Sequence, residues 1–196
     1  MKIRYNSPSV LTFAFLCALV LILSQTVLRS LTENWFMVPG NKAFSPGNLR
    51  CWITLVTHVI GHANWSHLVS NFSFILLIGP ILEETYGSLS LLLMMLITAL
   101  VTGILNIIFS SSALLGASGI VFMMILLSSF TNFNKGEVPL TFILVLILYL
   151  GRELFNAFGS TGDSSNNISQ FTHIVGGFIG SLFGFFRVPR LTSGKT

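Results

Sequence analysis

The sequence predicts an all-α membrane protein, a polytopic bundle of six transmembrane helices with a half-embedded external loop between the first and second. Three observations predict it. Of 196 residues, 53% are hydrophobic and only 8% charged, and a mean hydropathy of +0.83 lies well outside the range of chains that fold in water. Six apolar stretches follow one another: Val10–Leu28, His67–Leu82, Leu89–Phe109, Ala113–Phe130, Val138–Leu150 and Gln170–Phe186. Between the first two runs Arg29–Ser66, a segment too long to be a mere connector and rich in Trp and Phe.

The first stretch follows Lys2 and Arg4 and so imitates a signal peptide, but it is too long for an h-region and lacks a small-x-small exit. A retained anchor is expected. Crossing about 30 Å of hydrocarbon takes roughly 20 helical residues, so the shorter stretches must lean on flanking polar turns. In Arg29–Ser66, Trp35, Phe36, Phe44, Trp52 and Trp65 are residues that settle at a membrane interface, so the loop is expected to lie half-embedded on the outer face, chiefly as an anchor. The polar run Gly159–Gln170 reads as an external loop. Lys2, Arg4, Lys135, Arg187, Arg190 and Lys195 then face the cytoplasm, against Arg29, Lys42, Arg50 and Arg152 outside. That bias puts both termini in the cytoplasm. One integral membrane domain, residues 1–196, is expected, with a short cytoplasmic tail at 188–196 and no internal repeat.

Ten Lys and Arg residues scattered singly make no basic patch, which excludes nucleic acid as a partner and leaves the lipid bilayer. Cys17 lies inside an apolar stretch and Cys51 in the loop, so neither a disulfide nor a cysteine metal site is expected.

Polar side chains within the apolar stretches suggest function, because burying them in lipid is costly. Gly116 and Gly119 disfavour a continuous helix through "GASG", so the helix should start near Ala117, after backbone that dips into the protein. Ser118 then sits roughly 8 Å below the outer edge, counting 1.5 Å per residue from Ala113, at a helix N-terminus whose free N–H groups suit a developing oxyanion. A lone serine at a helix start is more commonly an N-cap. His173 lies just inside the same face and heads a line of glycines, Gly176, Gly180 and Gly184, that lets another backbone approach. A packing histidine accounts for it equally well. His67 and Asn71, one turn apart, could offer N–H donors to a tetrahedral intermediate or simply bond between helices. His58, His62 and His67 invite a zinc hypothesis, but HExxH is missing, no carboxylate lies between Glu33 and Glu83, and Gly61 interrupts the helix; no metal is expected.

Ser118 needs a base, and His173 is the only histidine on the later stretches. A Ser–His dyad is the economical reading. No carboxylate is placed to orient the histidine, since Glu153 and Asp163 lie at or beyond the external edge and Glu83 and Glu84 at the cytoplasmic one. Ring packing from Phe122, one turn after Ser118, would do so instead.

In "HANWSHLVSN" (His62–Asn71), "GASG" (Gly116–Gly119) and "THIVGGFIG" (Thr172–Gly180), the sequence resembles the rhomboid family of intramembrane serine proteases of the bacterial, six-span type. Each motif is short; the ordered set is specific, and the resemblance covers about residues 50–186. It implies Ser118 as nucleophile, His173 as base, and His67 and Asn71 as oxyanion donors with the Ser118 amide. It also implies a structural role for Glu83, no cofactor, single-pass transmembrane proteins as substrates, and a bacterial inner-membrane location. The sequence departs from the family at Ile53 and Thr54, where Trp-Arg is frequent, at Phe122 for a common Tyr, at Thr172 for Ala, and at Thr85 for Arg. The rival readings are a catalytically inactive rhomboid-like protein that binds transmembrane helices, a small transporter, and a zinc-dependent intramembrane protease.

Overall fold

The computed structural model describes residues 5–130, 140, 143, 144, 147, 174–183 and 186. Among these residues the chain is all-helical, with one isolated antiparallel bridge, Val38 to Leu114, and no strand. The helices are α1 (Pro8–Thr26), α2 (Leu31–Trp35), α3 (Leu49–Thr57), α4 (Trp65–Tyr86), α5 (Ser88–Phe109), α6 (Ser118–Phe130) and α7 (Ile174–Phe183). By length and composition α1, α4 and α5 can each cross a membrane, while α6 and α7 are shorter apolar helices. Of the expected stretch Val138–Leu150, positions 140, 143, 144 and 147 are helical and exposed; the rest lies outside the described residues, as do Gly159–Gln170 and the basic residues at both termini.

Two contacts fix α1 against α4. A Cβ on Gly79 would lie 2.8 Å from Val10 Cγ2, so the helices cross where glycine removes the side chain. One turn on, the buried Glu83 carboxylate accepts the N–H groups of Ser9 at 2.9 Å and Val10 at 3.0 Å. These are orphan donors of the first turn of α1, whose N-cap Ser7 makes no side-chain bond and whose N1 is Pro8. Glu83 therefore caps a neighbouring helix, satisfying donors that lipid could not.

The segment between α1 and α4 departs from the surface anchor expected of it. It folds into α2 and α3, and its end is drawn into the bundle: a Cβ on Gly103 of α5 would meet the Leu55 carbonyl oxygen at 2.5 Å, and His58 and His62 are each 1% exposed. On its outer side Trp35, Trp52 and Trp65 are exposed. Arg50 stacks 4.9 Å over the Trp35 ring and donates to Asn34 Oδ1 at 3.1 Å, tying α3 to α2.

The same segment holds the loop that precedes α6. Val38 and Leu114 exchange N–H to O bonds of 2.9 Å in both directions, and Asn41 donates its N–H to Ser110 O at 2.7 Å. Asn106 of α5 donates its side-chain amide to Ser112 O at 3.1 Å. Residues 110–117 are thus non-helical and pinned, and the helix expected near Ala117 begins at Ser118.

Candidate active site

Gly116 is the hinge of the site. Its φ is +111°, a conformation that side chains disfavour, and its N–H donates to the His58 carbonyl at 2.9 Å. A Cβ at Gly116 would lie 2.6 Å from His67 Cε1, 2.7 Å from His67 Nε2 and 3.8 Å from Asn71 Nδ2. Glycine is required twice over, by the backbone and by the imidazole seated on it. Two residues later comes Ser118, half-buried, the first residue of α6. Ala117, fully buried, opens the helical ladder by accepting the Val121 N–H at 3.0 Å.

His67 and Asn71 are positioned by the start of α4. Asn64 is the N-cap, its side chain accepting the His67 N–H at 2.8 Å, so α4 begins at Trp65, two residues before the apolar stretch read from the sequence. One turn further, Asn71 is buried, and its Nδ2 has no partner among the described residues. A buried amide N–H left unpaired is a cost that a folded chain rarely tolerates without a reason.

Behind His67 stands His62, the rings 5.1 Å apart at 66°. His62 Nδ1 lies 3.1 Å from the Ile60 carbonyl, which can only accept, so Nδ1 carries the proton and Nε2 the lone pair; Nε2 has no partner among the described residues. Burial pushes the His62 pKa down from 6.5 to about 4, the charge of a protonated His67 acts in the same direction, and the Ile60 carbonyl opposes both. Burial likewise lowers His58 to about 4, against the carbonyls of Thr54 and Leu55. His58 Nδ1 is 3.1 Å from Leu55 O, and its Nε2 3.4 Å from the Thr102 hydroxyl. Both rings are neutral near pH 7, as their apolar surroundings require.

The far wall is α7. A Cβ on Gly176 would strike the Gly119 carbonyl oxygen, and one on Gly180 the carbonyl oxygen of Met123. The glycine face read from the sequence is thus the face on which α7 meets α6, one residue beyond Ser118. Phe122 is half-buried one turn after Ser118. His173, Thr172 and Gly184 lie outside the described residues.

The structure therefore brings together Ser118, Gly116, His67 and Asn71, with Gly119, Gly176 and Gly180 at the α6–α7 contact. Among the described residues no group of three His, Cys, Asp or Glu side chains could hold a metal ion. Sequence reasoning treated His58 only as a candidate zinc ligand and missed that its carbonyl holds Gly116. A backbone contact of this kind leaves no signature in residue type.

The Rhomboid domain family matches residues 49–190. The chain is 25% identical over 162 residues to the Arabidopsis thaliana protein named Rhomboid-like protein 11, chloroplastic, covering 76% of this chain and 58% of that protein. It is 23% identical over 133 residues to Rhomboid protease GlpG of Haemophilus influenzae, covering 66% of this chain and 67% of that protein. The chain thus spans little more than half the length of the plant relative. With a family match over most of its length and the family's three motifs in order along it, the chain belongs to the rhomboid family.

Proposed function

We propose that this chain is an intramembrane serine endopeptidase that cleaves single-pass transmembrane proteins in or near their membrane segment. The observation that carries the reading is the seating of His67 and Asn71 on Gly116, two residues before a serine that opens a helix. Ser118 Oγ attacks the scissile carbonyl as His173 takes its proton; the carbonyl oxygen becomes an oxyanion, receiving the Asn71 amide N–H, a ring N–H from His67 and the Ser118 backbone N–H. Collapse of the intermediate expels the amine, protonated by His173, and leaves an acyl-serine. Water, deprotonated by His173, then releases the acid and restores the serine. The unpaired Nδ2 of Asn71 supports this assignment, because a donor held without a partner in the resting protein is available to charge that appears only during reaction. Support for His173 is covalent: it stands three residues before Gly176, which abuts Gly119, the neighbour of Ser118.

In this reading Phe122 stacks on His173 in place of a carboxylate, the chain crosses the bacterial inner membrane six times, and both termini are cytoplasmic. A helical peptide bond is hidden by its own hydrogen bonds, so the substrate unwinds at the cut, and the close-packed glycine contacts favour a small residue before it. The test uses purified protein in liposomes with a model single-span substrate, comparing wild type with Ser118→Ala and His173→Ala by gel. Cleavage that both substitutions abolish, with folding intact, is expected. Several such substrates left whole by wild type would instead indicate the inactive, helix-binding form of the family.

A further inference from the structure

A cavity of about 440 Å³ opens between α1 and α5, with Ser118 itself outside its lining. Its walls are Thr12, Phe13 and Leu16 of α1 and Leu92, Met95 and Leu96 of α5. Val59 and Ile60, from the end of the segment before α4, form one end, and Ile120 of α6 lines the depth. The cause is legible in the fold. Cys17, midway along α1, has its sulfur 3.9 Å from Val59 O, so the segment reaches to the middle of α1 and wedges it from α5. Toward the helix starts, contact resumes where Ser9 Oγ donates to Ser88 O at 3.0 Å. Between these points the groove follows α1 from Ser9 to Leu16, about 10 Å at 1.5 Å per residue, or most of one leaflet of hydrocarbon.

We infer that this groove binds one acyl chain of a membrane glycerolipid from the leaflet at the α1 N-terminus. Water is a poor occupant, since the polar side chains of the lining are the hydroxyls of Ser9, Thr12, Thr57 and Ser88, each already hydrogen-bonded within the protein. A substrate helix is a poor occupant, since crossing the hydrocarbon takes about 30 Å of helix and the groove follows only about 10 Å of α1. The groove is also continuous with the lipid-facing surface, as Leu16, Leu92 and Leu96 at its rim are exposed and adjoin exposed Leu19, Leu89 and Leu93. An unbranched hydrocarbon chain already in that layer can therefore turn in and cover the partly exposed lining at Leu16, Leu92, Val56 and Ile60, over a floor of Val59, Met95 and Ile120 that the protein itself encloses. Among the described residues no charged side chain lines the groove, so selection falls on the chain and not on the headgroup.

The occupied groove presses on both ends of the candidate active site. Val59 follows His58, whose carbonyl holds Gly116, and Ile120 lies two residues after Ser118. That consequence rests on the proposed function; the binding does not, so the experiment is done on Ser118→Ala protein. Protein reconstituted with palmitoyl-oleoyl phosphatidylethanolamine or phosphatidylglycerol is washed in detergent and weighed by native mass spectrometry. One retained lipid of either headgroup is expected. Leu92→Trp, which fills the groove with an indole in place of several methylenes, should lower occupancy at least roughly tenfold, and Leu93→Trp on the adjoining lipid face should not. In parallel, a phosphatidylcholine with a diazirine on its acyl chain should label Val56 and Ile60, the half-buried lining residues behind the exposed rim, in protein otherwise unaltered, a readout that does not depend on the variants folding. No retained lipid, equal retention by Leu92→Trp, dependence on headgroup, displacement by an equimolar single-span peptide, or no label at Val56 and Ile60 would each overturn the inference.

Discussion

Asn71 and Gly116 carry the sharpest expectations at the scale of single residues. Because Asn71 Nδ2 has no partner among the described residues, Asn71→Ala removes no bond from it, and the melting temperature should hold or rise. Its kcat should fall by roughly 10²–10³ with KM little changed, the signature of a donor used only in the transition state. Equal losses in stability and activity would make Asn71 a packing residue. Gly116→Ala should be inactive and less stable, since it is strained at φ +111° and would drive His67 off its seat; an active variant would remove Gly116 from the account. His62 and His58 set a pH dependence. Their folded pKa of about 4 is below the ordinary 6.5, so the stability gained by burying them neutral is complete above about pH 6.5 and is lost as pH falls toward 4. Thermal unfolding in detergent should show that decline, and His62→Gln should flatten it. Much of this was legible: Ser118, His67 and Asn71 stood out because polar groups in apolar stretches are costly. The neutral state of His58 and His62 was not, because burial is a property of the folded chain.

Among the elements, two helix contacts decide whether the site assembles. Gly176 meets the Gly119 carbonyl with no room for a methyl group, so Gly176→Val should part α7 from α6 and abolish cleavage, and Gly176→Ala should do so in part. Wild-type rates for both would show that this contact does not position the site. Glu83→Ala should destabilise the protein by about 1–3 kcal/mol, since it strands the N–H groups of Ser9 and Val10 where lipid offers no replacement. The lesson about legibility lies here too. Apolar length is a local property, so α1, α4 and α5 could be read directly, and Gly116 with Gly119 located the start of α6 to within a residue. The segment carrying α2 and α3 was read as an anchor because its tryptophans dominate its composition. Its docking depends on the carbonyls of Leu55 and His58, which any sequence possesses.

At the scale of the whole molecule, membership of the rhomboid family and the bilayer as solvent account together for a hydrophobic chain with a small polar cluster set into it. The helices supply close backbone approaches at glycine, the segment between α1 and α4 supplies backbone bonds that hold residues 110–117, and Ser118 stands where the two systems meet. If the proposed proteolysis takes place at a site so enclosed, it should be selective: a cleavage map of randomised single-span substrates should show small residues before the cut, and a map dominated by bulky residues there would contradict the crowding argument. The central claim is that Ser118 is a nucleophile activated by His173. Its most direct measurement is reaction of the protein in liposomes with a fluorophosphonate, followed by mass spectrometry of the labelled peptide. The account predicts a single adduct on Ser118, absent from Ser118→Ala and slowed at least roughly a hundredfold in His173→Ala, as loss of a general base requires. An adduct elsewhere, or labelling of Ser118 that is indifferent to His173, would contradict it.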